Sequence, residues 1–482
     1  MAPTHPILLE ILVLALGFGL LVLETFWDRA DRRVLGWIAV TGIGAIFLAS
    51  WAWGPGAAPG PDVHGWGAFY TTDFLALFFK RFALLTTLVV LVLAIEFLPA
   101  MGRVLEPARP QAGFGEFISL PVILCAGLMW MASSADFIMV FVSLELVTIC
   151  FYILVSFLRR SGASLEAGTK YLILGALSTG FLVYGITWIY GVTGQTTLAG
   201  IGQAAANPNL SQPHLLFGIL LVGIALGFKV AAVPFQFWVP DVYQGAPTPV
   251  TALLSVGSKG LGFLVLIRVL EAFRPNPGLY AKLLAGIAVL AGATLLYGNL
   301  AALPQNNLKR LLGYSSIAHA GYLLIGVTCA AGAAIGFYLA AYLFMTLLAF
   351  LVLIIVANAT GSDEISAFNG LAARSPFLAL AMLISMVALA GLPFTAGFIG
   401  KFLIFAAAIE GGHWVLVALG ALGVACGFYY YLKVVRAMYW NPAAPGTAAI
   451  AVSSSARITL GLLIAAILVF GVWPTPILSL LQ

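Results

Sequence analysis

"GFKVAAVPFQFWVPD", residues 227–241, carries two groups that an ordinary membrane helix avoids: Lys229 at the end of a long apolar run, and Pro234 just beyond it. Proline removes a backbone donor, and carbonyls freed at membrane depth persist only where protein buries them or a wet cavity bathes them. The stretch therefore reads as a spanning helix broken in mid-course beside a charged group. "ALAGLPFTAGFIGKF", residues 388–402, repeats the theme, with Gly391 and Pro393 ahead of Lys401. Similarly placed breaks in two parts of one chain point to an internal repeat whose functional sites lie at the broken helices.

The rest of the chain fits that reading. Its 482 residues are 62% hydrophobic and 8% charged, with a mean hydropathy of +1.07, far from the roughly 45–50% apolar and about 25% charged of a soluble domain. Apolar runs long enough to span a bilayer fall near 6–26, 34–53, 75–98, 117–132, 137–158, 167–190, 215–238, 248–270, 281–303, 311–328, 331–358, 376–410, 414–435 and 457–473. The expected fold is an all-α polytopic membrane protein of fourteen helices. Continuous runs of this length exclude a β-barrel, whose strands alternate over about ten residues. The first run lacks a basic flank and reads as a retained helix rather than a cleaved signal.

A single membrane domain is expected, with helices 1–3 in 1–116, a first repeat of helices 4–8 in 117–270, a second of helices 9–13 in 281–435, and helix 14 in 457–482. A unit with an odd number of helices inverts when repeated in tandem, so the two five-helix repeats have opposite topology, with helices 7 and 12 broken.

Orientation follows from Lys and Arg. Arg29, Arg32, Arg33, Arg103, Arg109, Arg159, Arg160, Lys309, Arg310, Arg374, Lys433, Arg436 and Arg457, thirteen of the 22 basic residues, fall on one side. On the other side the connections "GPGAAPGPDVHGWGAFYTTD", "MASSAD" and "GVTGQTTLAGIGQAAANPNLSQPH" contain none, and only Arg274 and Lys282, with Arg268, Lys80 and Arg81 near helix ends, dilute the bias. Both termini are expected to face the periplasm. The net charge of +5 is thus topological, and no nucleic-acid partner is expected.

Once loops and helix ends are set aside, Glu145, Lys229, Lys259, His319 and Lys401 remain deep. Glu145 is the one charge in "FIMVFVSLELVTICFYILVSFL", residues 137–158. A carboxylate near the middle of a spanning helix costs about 2.5–3.5 kcal/mol on insertion scales, so each such group needs a reason. Any one of them reads as helix glue. Five together, over five helices and both breaks, read as a polar track. The surplus of lysines matters, because burial disfavours the ammonium and lets a deep lysine exchange a proton, as histidine already does near neutrality. In this reading Glu145 holds Lys229 charged when paired and lets it release a proton when separated. Glu10, Glu24 and Glu96 lie near helix ends and are expected at the interface with water. Glu166 and Lys170 are an i, i+4 surface pair, with Lys170 a weaker candidate for a proton inlet.

Cys125, Cys150, Cys329 and Cys426 are scattered singly and read as small core hydrophobes. The chain has no Walker loop, no GxGxxG after a strand and no cluster-type cysteine spacing, so no cofactor is expected in it and the energy comes from a gradient or a partner.

"VPFQFWVPDVYQGAPTPVTALLSVGSK" (233–259), "NNLKRLLGYSSIAHAGYLLIG" (306–326), "AGLPFTAGFIGKF" (390–402) and "SLEAGTKYLILGALSTGFLVYG" (164–185) resemble the antiporter-like membrane subunits of respiratory complex I, the NADH:quinone oxidoreductase. The likeness extends over essentially the whole chain, and its DVYQGAP stretch is the most specific part. The M branch of that family resembles PDAHTEAP at this loop and has a glutamate in helix 12, where this chain has Lys401; the L branch is longer by a lateral helix. The N branch remains. Phe394 departs from the family, which more often repeats proline there.

The resemblance implies fourteen helices in two inverted repeats and a hydrophilic axis at mid-membrane. It makes Glu145 and Lys229 the coupling ion pair, Lys259 the central relay, His319 the link to the second half-channel and Lys401 its terminal lysine. It also implies a bacterial inner-membrane location, partner membrane subunits of complex I in the lipid bilayer, and FMN, iron–sulfur clusters and quinone carried by other subunits. The rival readings are a subunit of a multi-subunit cation/proton antiporter, a sister antiporter-like subunit of complex I or a related redox pump, a passive structural subunit, and a secondary solute transporter.

Overall fold

The computed structural model describes residues 7–26, 31–54, 69–105, 113–207, 209–443 and 448–481. Arg29, Arg109 and most of the 54–73 connection lie outside them. The chain is α-helical: α1 Ile7–Thr25, α2 Arg33–Ala49, α3 Phe74–Leu105, α4 Phe114–Ser133, α5 Phe137–Val155, α6 Gly162–Thr193, α7 Leu198–Ala205 and α8 Gln212–Val230. There follow α9 Trp238–Gly245, α10 Thr248–Leu253, α11 Lys259–Ala272, α12 Pro277–Ala302, α13 Leu308–Thr328, α14 Gly332–Thr360 and α15 Leu371–Arg374. The last five are α16 Pro376–Ala390, α17 Ala396–Glu410, α18 Trp414–Tyr439, α19 Ser454–Val472 and α20 Thr475–Leu478.

Among the described residues, thirteen helical stretches are long and apolar enough to cross a membrane, and β-pairing is confined to three isolated bridges. It is a multi-pass membrane protein. The run read as one span over 376–410 is two half-length helices, α16 and α17. Between α10 and α11, Leu254–Ser258 forms a π-helical turn immediately before Lys259. No residue pattern in this stretch marks it in advance.

Helix starts follow local capping chemistry. Asp136, Ser161, Asn276, Asn307 and Thr395 each accept a backbone N–H from the first turn of the helix they precede. With no hydrophobic drive between helices in lipid, small residues set the close contacts. Gly185 of α6 and Gly218 of α8 face each other so closely that a Cβ on either would stand within 3.0 Å of the other's carbonyl oxygen.

Burial is graded. α13 is buried along its whole apolar window and α14 and the α10–α11 stretch along 94% of theirs, whereas α1, α6 and α19 are less than a third buried. The innermost helix, α13, therefore presents its Ser315, Ser316 and His319 to protein rather than lipid.

Candidate functional site

The first break begins at the C-terminus of α8. Ala231 turns left-handed at φ 64°, and the Phe228 carbonyl, which accepts the Ala231 N–H at 3.2 Å, also accepts the Trp238 indole N–H at 3.1 Å. The Ala232 N–H is taken by Gly227 at 2.8 Å, and the Val233 N–H by the Thr294 hydroxyl at 3.0 Å. The helix end is thus satisfied by neutral groups, and Lys229, in its last turn and 4% exposed, is free to point elsewhere. It donates to the Thr148 hydroxyl on α5 at 2.7 Å.

Glu145 lies on α5 one helical turn before Thr148. Its carboxylate accepts the Thr179 hydroxyl of α6 at 2.7 Å, and its field reaches Lys229. No ion pair within 4.0 Å joins Glu145 and Lys229 among the described residues. The two groups share α5 as neighbour, with Thr148 and Thr179 as the immediate partners. Glu145 is half-buried at the outer side of the bundle rather than sealed in its middle.

Beyond the π-helical turn, Lys259 is 2% exposed. Its ammonium donates to the carbonyl and the hydroxyl of Ser316 on α13 and faces the Tyr342 ring at 5.8 Å. The Ser316 hydroxyl also meets the Tyr243 hydroxyl at 3.1 Å, and Tyr342 meets Ser255, within the π turn, at 2.9 Å. The adjacent Ser315 hydrogen-bonds Tyr431. That phenol lies 3.1 Å from His319 Nε2, and Tyr338 lies 2.8 Å from His319 Nδ1. The imidazole is therefore held between two hydroxyls and can take a proton on one side and give one up on the other.

The second break differs. α16 ends at Ala390, Gly391 takes φ 89° and Phe394 φ 68°. Lys401 of α17 reaches back and donates to the Leu389 and Ala390 carbonyls at 2.9 and 2.8 Å. A Cβ at Gly391 would lie 2.9 Å from the Lys401 Cδ, so a glycine is needed there for both φ and space. The Tyr322 ring lies between this lysine and the histidine, 5.0 Å from the Lys401 ammonium and 6.2 Å from the His319 ring.

The structure thus places Lys229, Lys259, His319 and Lys401 as a buried series and links Lys259 to His319 through α13. It sets Lys170 apart. Its ammonium, 41% exposed, binds Glu166 at 2.6 Å and Asp241 at 2.7 Å, and Asp241 also binds Arg310 at 2.7 Å. This network pins α9 to α6 and α13 on the basic side of the bundle. The structure also corrects the interfacial reading of Glu10: its carboxylate and the Lys80 ammonium form a fully buried pair at 2.9 Å. Glu24 and Glu96 do reach polar partners near helix ends, Arg32 and the Ser453–Ser455 pair.

Sequence reasoning passed over the hydroxyls, above all Thr148, Ser316, Tyr243, Tyr338 and Tyr431. One signal was present: Tyr338 and Tyr342 stand i, i+4 on α14, and Ser315, Ser316 and His319 share a face of α13.

Residues 134–427 match the family model described as "NADH:quinone oxidoreductase/Mrp antiporter, TM". A protein of Moorella thermoacetica named NADH-quinone oxidoreductase subunit N is 38% identical over 99% of this chain and 97% of its own length. A Solibacter usitatus protein named NADH-quinone oxidoreductase subunit N 2 is 40% identical over 92% of this chain and 88% of its own. Among solved structures, a chain of respiratory complex I from Thermus thermophilus superposes with a TM-score of 0.80 at 31% identity, covering 98% of both chains. A chain of the Mrp complex from a Dietzia species shares the fold, with a TM-score of 0.82 at 20% identity over 98% of this chain and 95% of that one.

Proposed function

The chain belongs to the NADH:quinone oxidoreductase/Mrp antiporter membrane family, in the branch of the NADH-quinone oxidoreductase N subunits, and from that premise we propose that Glu145, Lys229, Lys259, His319 and Lys401 carry protons through it as a translocating subunit of a bacterial complex I. The observation that supports this most is the placement of Lys229. It hangs on one threonine hydroxyl, at a helix end that does not need it, within reach of the Glu145 field.

With Glu145 ionised, the ammonium of Lys229 is favoured. When the Glu145 charge is neutralised or drawn toward a neighbouring subunit, burial makes Lys229 give up its proton toward Lys259. From Lys259 the proton's way on runs through Ser316 and Ser315 to Tyr431 and His319, and from there past Tyr322 to Lys401, where two carbonyls hold the charge. Lys170, tied into its surface network, serves as the inlet on the basic side.

Interpreting α16 with α17 as one interrupted span gives fourteen spans, grouped as helices 1–3 in 1–116, inverted repeats in 117–270 and 281–435, and a last helix in 457–482. Both termini face the periplasm across the inner membrane. FMN, iron–sulfur clusters and quinone sit on partner subunits, this chain has no redox site, and quinone reduction drives it through contacts with neighbouring membrane subunits.

The test is to follow quinone reduction and proton uptake together in vesicles bearing the assembled complex. Lys229→Met and Glu145→Gln are each expected to lose proton translocation. Full translocation per electron in Lys229→Met would overturn the proposal.

A further inference from the structure

Far from both breaks, α1 and α3 share a second buried charge cluster. Glu10 and Lys80 are each 0% exposed, and their ion pair measures 2.9 Å. Tyr70, 1% exposed in the connection before α3, donates to Glu10 Oε1 at 2.9 Å and accepts from Lys80. The other carboxylate oxygen, Glu10 Oε2, is buried with no hydrogen-bond partner among the described residues. The Ser133 hydroxyl lies against the Tyr70 phenol, and the Thr87 hydroxyl against the Cys125 thiol, which the field of Glu10 also reaches.

Burying two charges this completely is expensive, and an apolar pair of the same size would fasten α1 to α3 as well or better. A carboxylate oxygen left unsatisfied adds to that cost. Fastening alone does not explain the cluster.

Depth supplies the rest. Arg268 grips Asp73 with two hydrogen bonds of 2.9 and 2.8 Å, which fixes the register of α11 against α3. At 1.5 Å per residue, Lys80 then lies about 10 Å inward of that pair and Lys259 about 13 Å, nearly the same level. The helical stretches touch at that level and deeper, where a Cβ at Gly260 would meet Phe82 and one at Gly257 would meet Thr86. Side-chain oxygens are staggered along this depth: the Thr87 hydroxyl lies beyond Lys80 along α3, the open Glu10 Oε2 beside the pair, and the Ser133 hydroxyl at the loop end of α4 next to the Tyr70–Ser134 bridge.

We propose that Glu10, Lys80 and Tyr70 form a proton-holding site outside the central axis, in which Glu10 Oε2 takes a proton from the interior side and yields it to the face bearing Tyr70 and Ser134. Proton arrival converts the carboxylate to the acid and leaves Lys80 as the ammonium; departure restores the pair. Tyr70 keeps the two in register, since its oxygen accepts from Lys80 while its O–H donates to Glu10. The field of Asp73 reaches Lys80, and Arg268 pairs with Asp73; Lys259 stands at nearly the same level on α11. The cluster meets no further ionised side chain from α1, α3 or α4 among the described residues.

This proposal rests on the proton-translocation reading, and the experiment separates the two. In vesicles with the assembled complex, protons translocated per electron are measured for Glu10→Gln/Lys80→Met, for Tyr70→Phe and for Lys229→Met. The double variant removes both charges in balance, so a fastening role predicts normal assembly and an unchanged ratio. The expected result is assembled complex with a lowered ratio, and a lowered ratio in Tyr70→Phe, which keeps both charges. An unchanged ratio in Tyr70→Phe together with an unchanged ratio or failed assembly in the double variant overturns the site while Lys229→Met still loses translocation. An unchanged ratio in Lys229→Met instead overturns the broader reading and this site with it.

Discussion

The two broken helices solve the same problem by opposite means. Each leaves backbone carbonyls exposed at membrane depth, and each has one buried lysine nearby. At the first break the Trp238 indole caps the Phe228 carbonyl, so Lys229 on the leading half is released to Thr148 and the field of Glu145. At the second break no indole does so; Lys401, on the trailing half, caps Leu389 and Ala390 itself. The difference assigns them different work. A lysine with one hydroxyl partner answers to a neighbouring acid, whereas a lysine held by two carbonyls at the negative end of a helix dipole has its ammonium fixed in position whenever a proton reaches it.

The largest test of that contrast is to truncate both. Lys229→Met is expected to abolish translocation and leave the thermal midpoint of the complex unchanged or raised. Lys401→Met is expected to lose translocation and also to unfold earlier, since each abandoned carbonyl costs about 1–3 kcal/mol. Parallel melting curves that fall equally for both would erase the distinction. Next is Trp238→Phe, which removes one of the two hydrogen bonds to the Phe228 carbonyl at a cost of about 1 kcal/mol. Lys229 is then drawn back to its own helix end, and a several-fold slower proton uptake, at retained complex content on native gels, is the expected reading. Thr148→Val follows: it removes the hydroxyl that accepts from the Lys229 ammonium, and a smaller slowing of uptake is expected, with Thr148→Ser restoring the rate.

The smallest effect concerns α11, which carries Lys259 between the breaks. Burial pushes the Asp73 carboxyl up, but the hydrogen bonds and charge of Arg268 outweigh it and hold Asp73 below the usual carboxylate range. Its contribution to stability is therefore complete above about pH 4, the ordinary aspartate value, and is lost as pH falls further through the lowered one. Asp73 is 44% exposed, so solvent screens the pair and the effect is modest. Melting temperature followed below pH 4 should drop more steeply in the parent than in Asp73→Asn.

Much of this was legible in the residues. The run 137–158 became α5 over Phe137–Val155, and the stretches around Pro234 and Gly391 became the two breaks, because backbone satisfaction in lipid leaves a chain little choice. What escaped notice depends on which side a group faces. Glu10 stands four residues into the described part of α1, where water is the ordinary neighbour, yet α3 and Tyr70 enclose it. Tyr338 and Tyr431 look like interfacial aromatics by type, and only the packing of α14 and α18 around α13 turns their hydroxyls onto His319. Likewise, no spacing rule shows that Thr148 stands between Glu145 and Lys229.

The π turn at Leu254–Ser258 has one more consequence. It inserts a residue into the helix, so everything after it is rotated by about 100° from where a regular α-helix would carry it. Lys259 thus meets Ser316 through a phase offset stored in the backbone, and a turn of the same length regularised to α-helix would swing the lysine about a quarter of the way around its helix with every side chain of the site still present.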